Sequence, residues 1–262
     1  MDTLSIDNST EILKVRDLSV YFGGLKAVDT IDFEIHTGEL FGLIGPNGAG
    51  KTTIFNAITN TVSISSGSIC FLGREIKRLK PHEVAAIGLV RIFQAATIFP
   101  TMPVMAHIMV GLHCRTSTNY LGGLFHTSHA RKEESESRAR CQELLEYTKL
   151  IGLENQPAGS LSWAQQKRLM LATALAVQPK MILLDEPVAG MNADEIAEMI
   201  NLIKNIRKNG ITVFVIDHNM KVMMSICDRM MVMNFGQKLT EGIPEAIARD
   251  PRVIEAYLGY SR

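Results

Sequence analysis

Nine consecutive residues, Gly45-Pro46-Asn47-Gly48-Ala49-Gly50-Lys51-Thr52-Thr53, carry the spacing G-x-x-x-x-G-K-[ST]. A triphosphate needs a concave row of backbone N–H donors that a Cβ would obstruct, and Gly48, Ala49 and Gly50 are small enough to let the loop wrap a β-phosphate. A helix beginning at Thr52 presents its positive end to the same anion. Lys51 then places a point charge on the β- and γ-phosphates, and the Thr52 hydroxyl is a ligand for Mg²⁺. A glycine-rich turn that binds nothing is the plain alternative. The flanks argue against it, because the apolar run Leu40–Ile44 predicts a strand before the loop and Thr52–Ile58 predicts a helix after it.

Two further stretches put reactive side chains at the ends of apolar strands. Met181-Ile182-Leu183-Leu184 suits a strand buried on both faces of a parallel sheet, and Asp185-Glu186 follow at its C-terminal end, the edge where open α/β sheets bind ligands. Adjacent acids beside a triphosphate would repel it without a cation between them, so the pair implies Mg²⁺, with Asp185 on the ligand side and Glu186 left to polarise water. Ile211–Ile216 delivers Asp217-His218 in the same way. His218 either caps a helix or joins the chemistry, and its place after a parallel strand favours the second. Gln94 ends the strand-like Leu89–Phe93, where it either caps a turn or reaches a metal-bound water. Tyr21-Phe22-Gly23-Gly24 reads as an exposed turn whose ring stacks on a nucleotide base or packs inward.

The remaining elements must position these groups. Ile12–Val20 and Ile31–Ile35 alternate as half-buried antiparallel strands do, and Gly67–Leu72 is a short strand. Pro81–Ile87 suits a helix with proline near its start. From Phe99 to Gly159 helical patterns dominate: Val104–His113 and Ala130–Leu150, joined by a polar loop over Thr116–Ser128. Ser162 is placed to cap a long helix running to Val177. Ala193–Lys208 is a helix stopped by Asn209-Gly210, strands follow at Arg229–Phe235 and Lys238–Glu241, and Ile243–Leu258 predicts a helical tail.

Among 262 residues, basic and acidic side chains number 27 each, so the net charge is zero. That balance argues against a nucleic-acid coat or a polybasic membrane anchor. Cys70, Cys114, Cys141 and Cys227 lack C-x-x-C spacing and read as reduced packing thiols. The polar, acidic opening is expected to be a frayed lead-in and not a signal peptide. The apolar stretch around Val222–Met233 is broken by Asp228-Arg229 and falls short of a membrane span.

In this order, the phosphate loop, Gln94, Leu161-Ser162-Trp163-Ala164-Gln165-Gln166, the strand with Asp185-Glu186-Pro187 and the strand with His218 resemble the ATP-binding subunit of ATP-binding cassette transporters, from Ile12 to Gly259. Phe22–Val28, Val90–Gln94 with Ile98-Phe99-Pro100, Ala189–Asn192 and Ala256–Gly259 resemble the branched-chain amino acid uptake branch of that family. The resemblance implies an α/β fold: a P-loop NTPase cassette with a mainly parallel core sheet, an N-terminal antiparallel β subdomain and an inserted α-helical subdomain. It divides the chain into a flexible lead-in (1–11), a nucleotide-binding core (12–98 and 160–242), the insertion (99–159) and a C-terminal tail (243–262).

The resemblance also implies roles. Phe22 stacks on adenine, Gly45–Thr53 hold the phosphates with Lys51 acting in catalysis, and Thr52, Gln94 and Asp185 serve Mg²⁺. Glu186 is the general base and His218 contacts the γ-phosphate. Gln94 also meets the attacking water. Ser162, Trp163, Ala164 and Gln165 close on ATP held by a second cassette, either a related chain or another copy. The implied partners are that cassette, two membrane permease subunits and, indirectly, an extracytoplasmic solute-binding protein, with no nucleic acid; the implied place is the cytoplasmic face of the cell membrane. A lipid or lipopolysaccharide exporter motor and a non-transport cassette ATPase are the competing classes; one phosphate loop and no sustained heptads weigh against the latter. Ala164 stands where the family carries glycine, so the sequence predicts crowding at the partner's γ-phosphate, relieved by Ala164→Gly.

Overall fold

The computed structural model describes residues 10–93, 98–113 and 128–258. Gln94, Cys114, the lead-in up to residue 9, the loop over 116–127 and Gly259 lie outside the described residues. The chain divides into two compact units, one of residues 1–91, 180–189 and 200–262, the other of 92–179 and 190–199.

The first unit holds an antiparallel sheet and a mostly parallel one. In the antiparallel sheet, β1 (Glu11–Phe22) lies between β2 (Leu25–His36) and β4 (Ser66–Phe71), with β5 (Arg74–Glu75) at the edge. Its first hairpin is longer than alternation predicts. Tyr21 pairs with Lys26 and Phe22 with Leu25, so the turn shrinks to Gly23-Gly24. These last rungs are exposed and the ladder contains bulges, which erases the two-residue burial period on which a sequence reading depends.

The second sheet has the order β10-β9-β3-β8-β7-β6. Its strands are β3 (Leu40–Ile44), β6 (Leu89–Ile92), β7 (Met181–Asp185), β8 (Thr212–Ile216), β9 (Arg229–Asn234) and β10 (Gln237–Gly242). β3 runs parallel to β8 and β9, and β7 parallel to β8. Both β3 and β7 are buried throughout, which explains the apolar runs Leu40–Ile44 and, up to the closing Asp185, Met181 to Leu184. Helix α1 (Lys51–Ile58) leaves β3 through the phosphate-loop segment, and α2 (Pro81–Ala86) precedes β6. Four buried rings lock this arrangement: Phe214 of β8 meets Phe55 of α1 at 4.8 Å between centroids, Phe41 of β3 at 5.4 Å and Phe33 of β2 at 5.8 Å.

The second unit is helical, with α3 (Val104–His113), α4 (Ser128–Tyr147) and α5 (Trp163–Ala176). Helix α4 stops short of the predicted Leu150 because Lys149 takes a left-handed backbone with φ 58°. Helix α6 (Ala193–Lys208) has the predicted bounds. The apolar stretch after His218 forms α7 (Met220–Ile226), a helix the composition did not separate from its neighbours. The predicted helical tail is two helices, α8 (Pro244–Ile247) and α9 (Pro251–Leu258), because Pro251 has no amide to continue a helix and is suited to begin one. Among the described residues no helix is long and apolar enough to cross a membrane.

Within the helical unit, α3 and α5 approach so closely that a Cβ on Gly111 would lie 2.5 Å from the Thr173 carbonyl oxygen and 2.9 Å from the Ala176 methyl. Backbone cannot yield as a side-chain tip can. Gly111→Ala is therefore expected to destabilise the protein by about 1–3 kcal/mol through overpacking, despite alanine's better helix propensity; urea unfolding checks this, and a stabilised variant contradicts it.

Candidate active site

Parallel register brings three turns to one level. Leu43 of β3 and Asp185 of β7 both pair with Ile216 of β8, so the loop from Gly45, the Glu186 turn and Asp217-His218 all leave the same sheet edge. The Glu186 amide donates to the Ile216 carbonyl at 2.8 Å and ties two of these turns together. A cleft of about 580 Å³ opens there, lined by Phe22, Asn47 to Thr53, Glu186 and, among others, Leu25 and Phe235.

The small residues of the loop divide their work in a way the sequence reading did not anticipate. A Cβ on Gly45 would lie 2.3 Å from the Met233 carbonyl oxygen, and one on Gly50 2.3 Å from the Ala27 carbonyl oxygen. Those glycines let the loop pass against β9 and β2. Ala49 is buried, and its carbonyl accepts from the Gly236 amide at 3.1 Å. Gly48, with φ 79° and open space beyond it, is the position that keeps room for a ligand.

Lys51 donates to the Gly45 carbonyl at 2.7 Å and the Pro46 carbonyl at 2.8 Å, so its ammonium is held inside the loop. Burial lowers its pKa from the ordinary value, and Glu186 and Asp185 draw it partly back. Thr52 and Thr53 line the cleft at the start of α1.

Glu186 has φ 49°, an unfavourable conformation for a residue with a long side chain. Such strain persists only where surrounding contacts impose it, and it concentrates at functional positions. The His218 ring is exposed, with Nδ1 3.5 Å from Glu186 Oε1. It does not cap the next helix, since Asn219 does so by accepting from the Val222 amide at 3.3 Å. Asp217 is buried and accepts from the Asn219 amide at 2.8 Å; burial raises its carboxyl pKa, which that bond and His218 partly offset.

Arg91 was not singled out by the sequence reading, although an arginine within the apolar run Leu89–Phe93 is a usable signal. Its Nη2 stands 2.9 Å from Asp185 Oδ2, with the two side chains only 4% and 5% exposed. Its Nη1 donates to Asn56 Oδ1 at 2.5 Å, and the guanidinium lies 5.4 Å from the Phe55 ring centroid. Asn56 is one helical turn beyond Thr52, so Arg91 joins the Asp185 strand to the face of α1 that carries that threonine.

The donor set fits a magnesium nucleotide. A hydroxyl and a carboxylate are hard oxygen donors of the kind Mg²⁺ uses together with phosphate oxygens, whereas an all-protein cation cage would need more acids. Among the described residues no group of three or more such ligands gathers.

In the helical unit, Ser162 caps α5 as predicted, accepting from the Gln165 amide at 3.3 Å while Gln165 Oε1 accepts from the Ser162 amide at 2.9 Å. Trp163 is half-exposed, with Lys167 Nζ 5.3 Å from its ring centroid. Ala164 is helical and only 4% exposed. Its helical backbone therefore requires no glycine.

An ABC transporter family model matches residues 28–189, and a model for branched-chain amino acid ATP-binding cassette transporters matches residues 237–261. The chain is 40% identical to the high-affinity branched-chain amino acid transport ATP-binding protein BraF of Pseudomonas aeruginosa, and 38% identical to LivG of Escherichia coli; both alignments cover 96% of this chain and 99% of the relative. Among solved structures, an ATP-binding cassette of an ABC transporter in its ADP conformation aligns with a TM-score of 0.83 at 32% identity, covering 96% of this chain and 100% of that one. A nucleotide-free cassette aligns with the same TM-score at 31% identity, covering 95% and 100%.

Arg91→Met is expected to lower unfolding free energy by about 3–5 kcal/mol, because it strands a buried carboxylate. Asp185→Asn in the same background should recover part of that loss. Urea titration of both single variants and the double variant measures the coupling, and additive losses contradict the pairing.

Proposed function

The chain belongs to the ABC transporter family, and from that premise we propose that it is the ATP-binding and ATP-hydrolysing subunit of an importer of branched-chain amino acids. The observation that carries the reading is the cleft at the C-terminal strand edge, which gathers Phe22, the loop through Thr53 and Glu186 in one wall. The match of residues 237–261 to the branched-chain model, with the likeness to BraF and LivG, supports the solute class over a lipid exporter or a non-transport cassette.

In the proposed reaction Phe22 stacks on adenine while Asn47 to Thr53 surround the phosphates. Gly45 and Pro46 act behind that wall, giving Lys51 two carbonyls to leave when its ammonium turns to the β- and γ-phosphates. Thr52 and Asp185, with Gln94, would hold Mg²⁺, which supplies charge neutralisation on the phosphates when bound. Glu186 accepts the proton of the attacking water, and His218 contacts the γ-phosphate. Ser162, Trp163, Ala164 and Gln165 complete the pocket of a second cassette, so bound ATP joins two chains head to tail. Closing and reopening that interface moves two membrane permease subunits fed by an extracytoplasmic binding protein. Peripheral attachment at the cytoplasmic membrane face follows from this arrangement.

Glu186→Gln is expected to retain ATP binding while hydrolysis falls on the order of 10²- to 10⁴-fold, trapping the closed dimer; full turnover in phosphate-release assays removes Glu186 from the role. In that trapped variant the emission of Trp163, the only tryptophan in the chain, should shift to shorter wavelength with MgATP as its ring loses water. An unshifted spectrum counts against its burial by a partner. Ala164→Gly is expected to leave turnover no higher than the parent and to lower stability by about 1 kcal/mol, because glycine weakens the first turn of α5; steady-state rates and thermal melts decide.

A further inference from the structure

We infer that Phe235, in the turn between β9 and β10, is a second aromatic contact for the base and acts with Phe22 and Leu25 as its apolar receptor. This rests on the reading that the cleft takes a nucleotide. Phe235 is 75% exposed, an unusual position for a phenyl ring, yet it lines the same cleft as the phosphate loop and Phe22. Its backbone is equally unusual. Phe235 has φ 47° and Gly236 has φ 78°, the pair of left-handed conformations required by the two residues of a tight hairpin turn. Asparagine or aspartate suits the first of those positions, and a bulky residue there is an outlier.

The turn is also fixed against the loop. The Gly236 amide donates to the Ala49 carbonyl at 3.1 Å, its carbonyl accepts from the Asp29 amide at 2.8 Å, and a Cβ on Gly236 would stand 3.0 Å from the Lys26 carbonyl oxygen. The turn that carries the ring is thus tied to the backbone of the phosphate loop and of β2. Tyr21, by contrast, gives its hydroxyl to Asp29 at 2.9 Å, does not line the cleft and has Lys26 5.5 Å from its ring centroid. A purine offers two apolar π-faces, and aromatic walls beside a phosphate cradle are the chemistry that recognises it.

The test uses the purified full-length chain, with calorimetric titration of MgATP and of inorganic tripolyphosphate alongside thermal melts. Phe235→Asn suits the left-handed backbone but removes the ring. It is expected to melt higher than the parent, to bind MgATP about tenfold more weakly and to bind tripolyphosphate unchanged, while Phe235→Tyr keeps the parent's ATP affinity. Parental ATP affinity in Phe235→Asn overturns the inference, as does a lower melting temperature with equal loss of both ligands, which would assign the ring to the turn's own fold. A parent that binds neither ligand overturns the nucleotide reading and this inference with it; a parent that binds ATP beside an unaffected Phe235→Asn overturns this inference alone.

Discussion

The register of three parallel strands is the constraint on which the site depends. Because Leu43 and Asp185 are level with Ile216, the chain emerges from β3, β7 and β8 at the same height. A one-residue slip in any pairing would reverse which side chains face each side of the sheet and displace one turn from the edge. The Phe33, Phe41, Phe55 and Phe214 cluster opposes such a slip, since each ring comes from a different element and Phe214 touches the other three. Packing remote from the ligand thereby sets the height at which α1 begins and at which Lys51 enters the loop.

Electrostatics then sets the state in which that edge waits. The Lys51 ammonium is satisfied locally by two carbonyl acceptors, and the Asp185 charge is countered by Arg91. Each reactive group therefore has an internal substitute for its proposed partner. A buried ammonium or carboxylate left without one would incur a desolvation cost larger than any single packing contact. Two backbone positions at the same edge, Glu186 and Phe235, are held left-handed in spite of their side chains. The strained backbone sets the direction of those two side chains before a ligand arrives, so less ordering remains there on binding, whereas Lys51 has its carbonyls to exchange for phosphate oxygens.

Much of this was legible in the sequence because the responsible rules are local. The loop spacing, the acids after a buried strand and the Ser162 cap each lie within a few consecutive residues. Helices α3 and α6 had their bounds set by apolar period and capping signals. What escaped depends on residues distant in the chain. The pairing of Arg91 with Asp185 spans 94 positions. The need for glycine at 45 and 50 arises from the carbonyls of Met233 and Ala27, whereas the sequence offers a phosphate as the reason at 50 and none at 45. Spacing identified the right residues there and an incomplete cause.

Ala164 poses the converse case, in which a family pattern suggests a defect at a partner's γ-phosphate while the local helix places no demand for glycine. Glycine in a helix's first turn is tolerated at some entropic cost, and alanine is favoured wherever its methyl has space. Here Ala164 is only 4% exposed, and the segment is already fixed by the Ser162–Gln165 capping box and by Gln166 Nε2 donating to the Leu161 carbonyl at 3.0 Å. An alanine at this place stiffens the start of α5 without altering the backbone conformation that glycine would adopt there. Across a dimer interface the alanine reads as a crowded contact and within its own helix as a gain in stability, and the two readings differ in sign for the effect of restoring glycine.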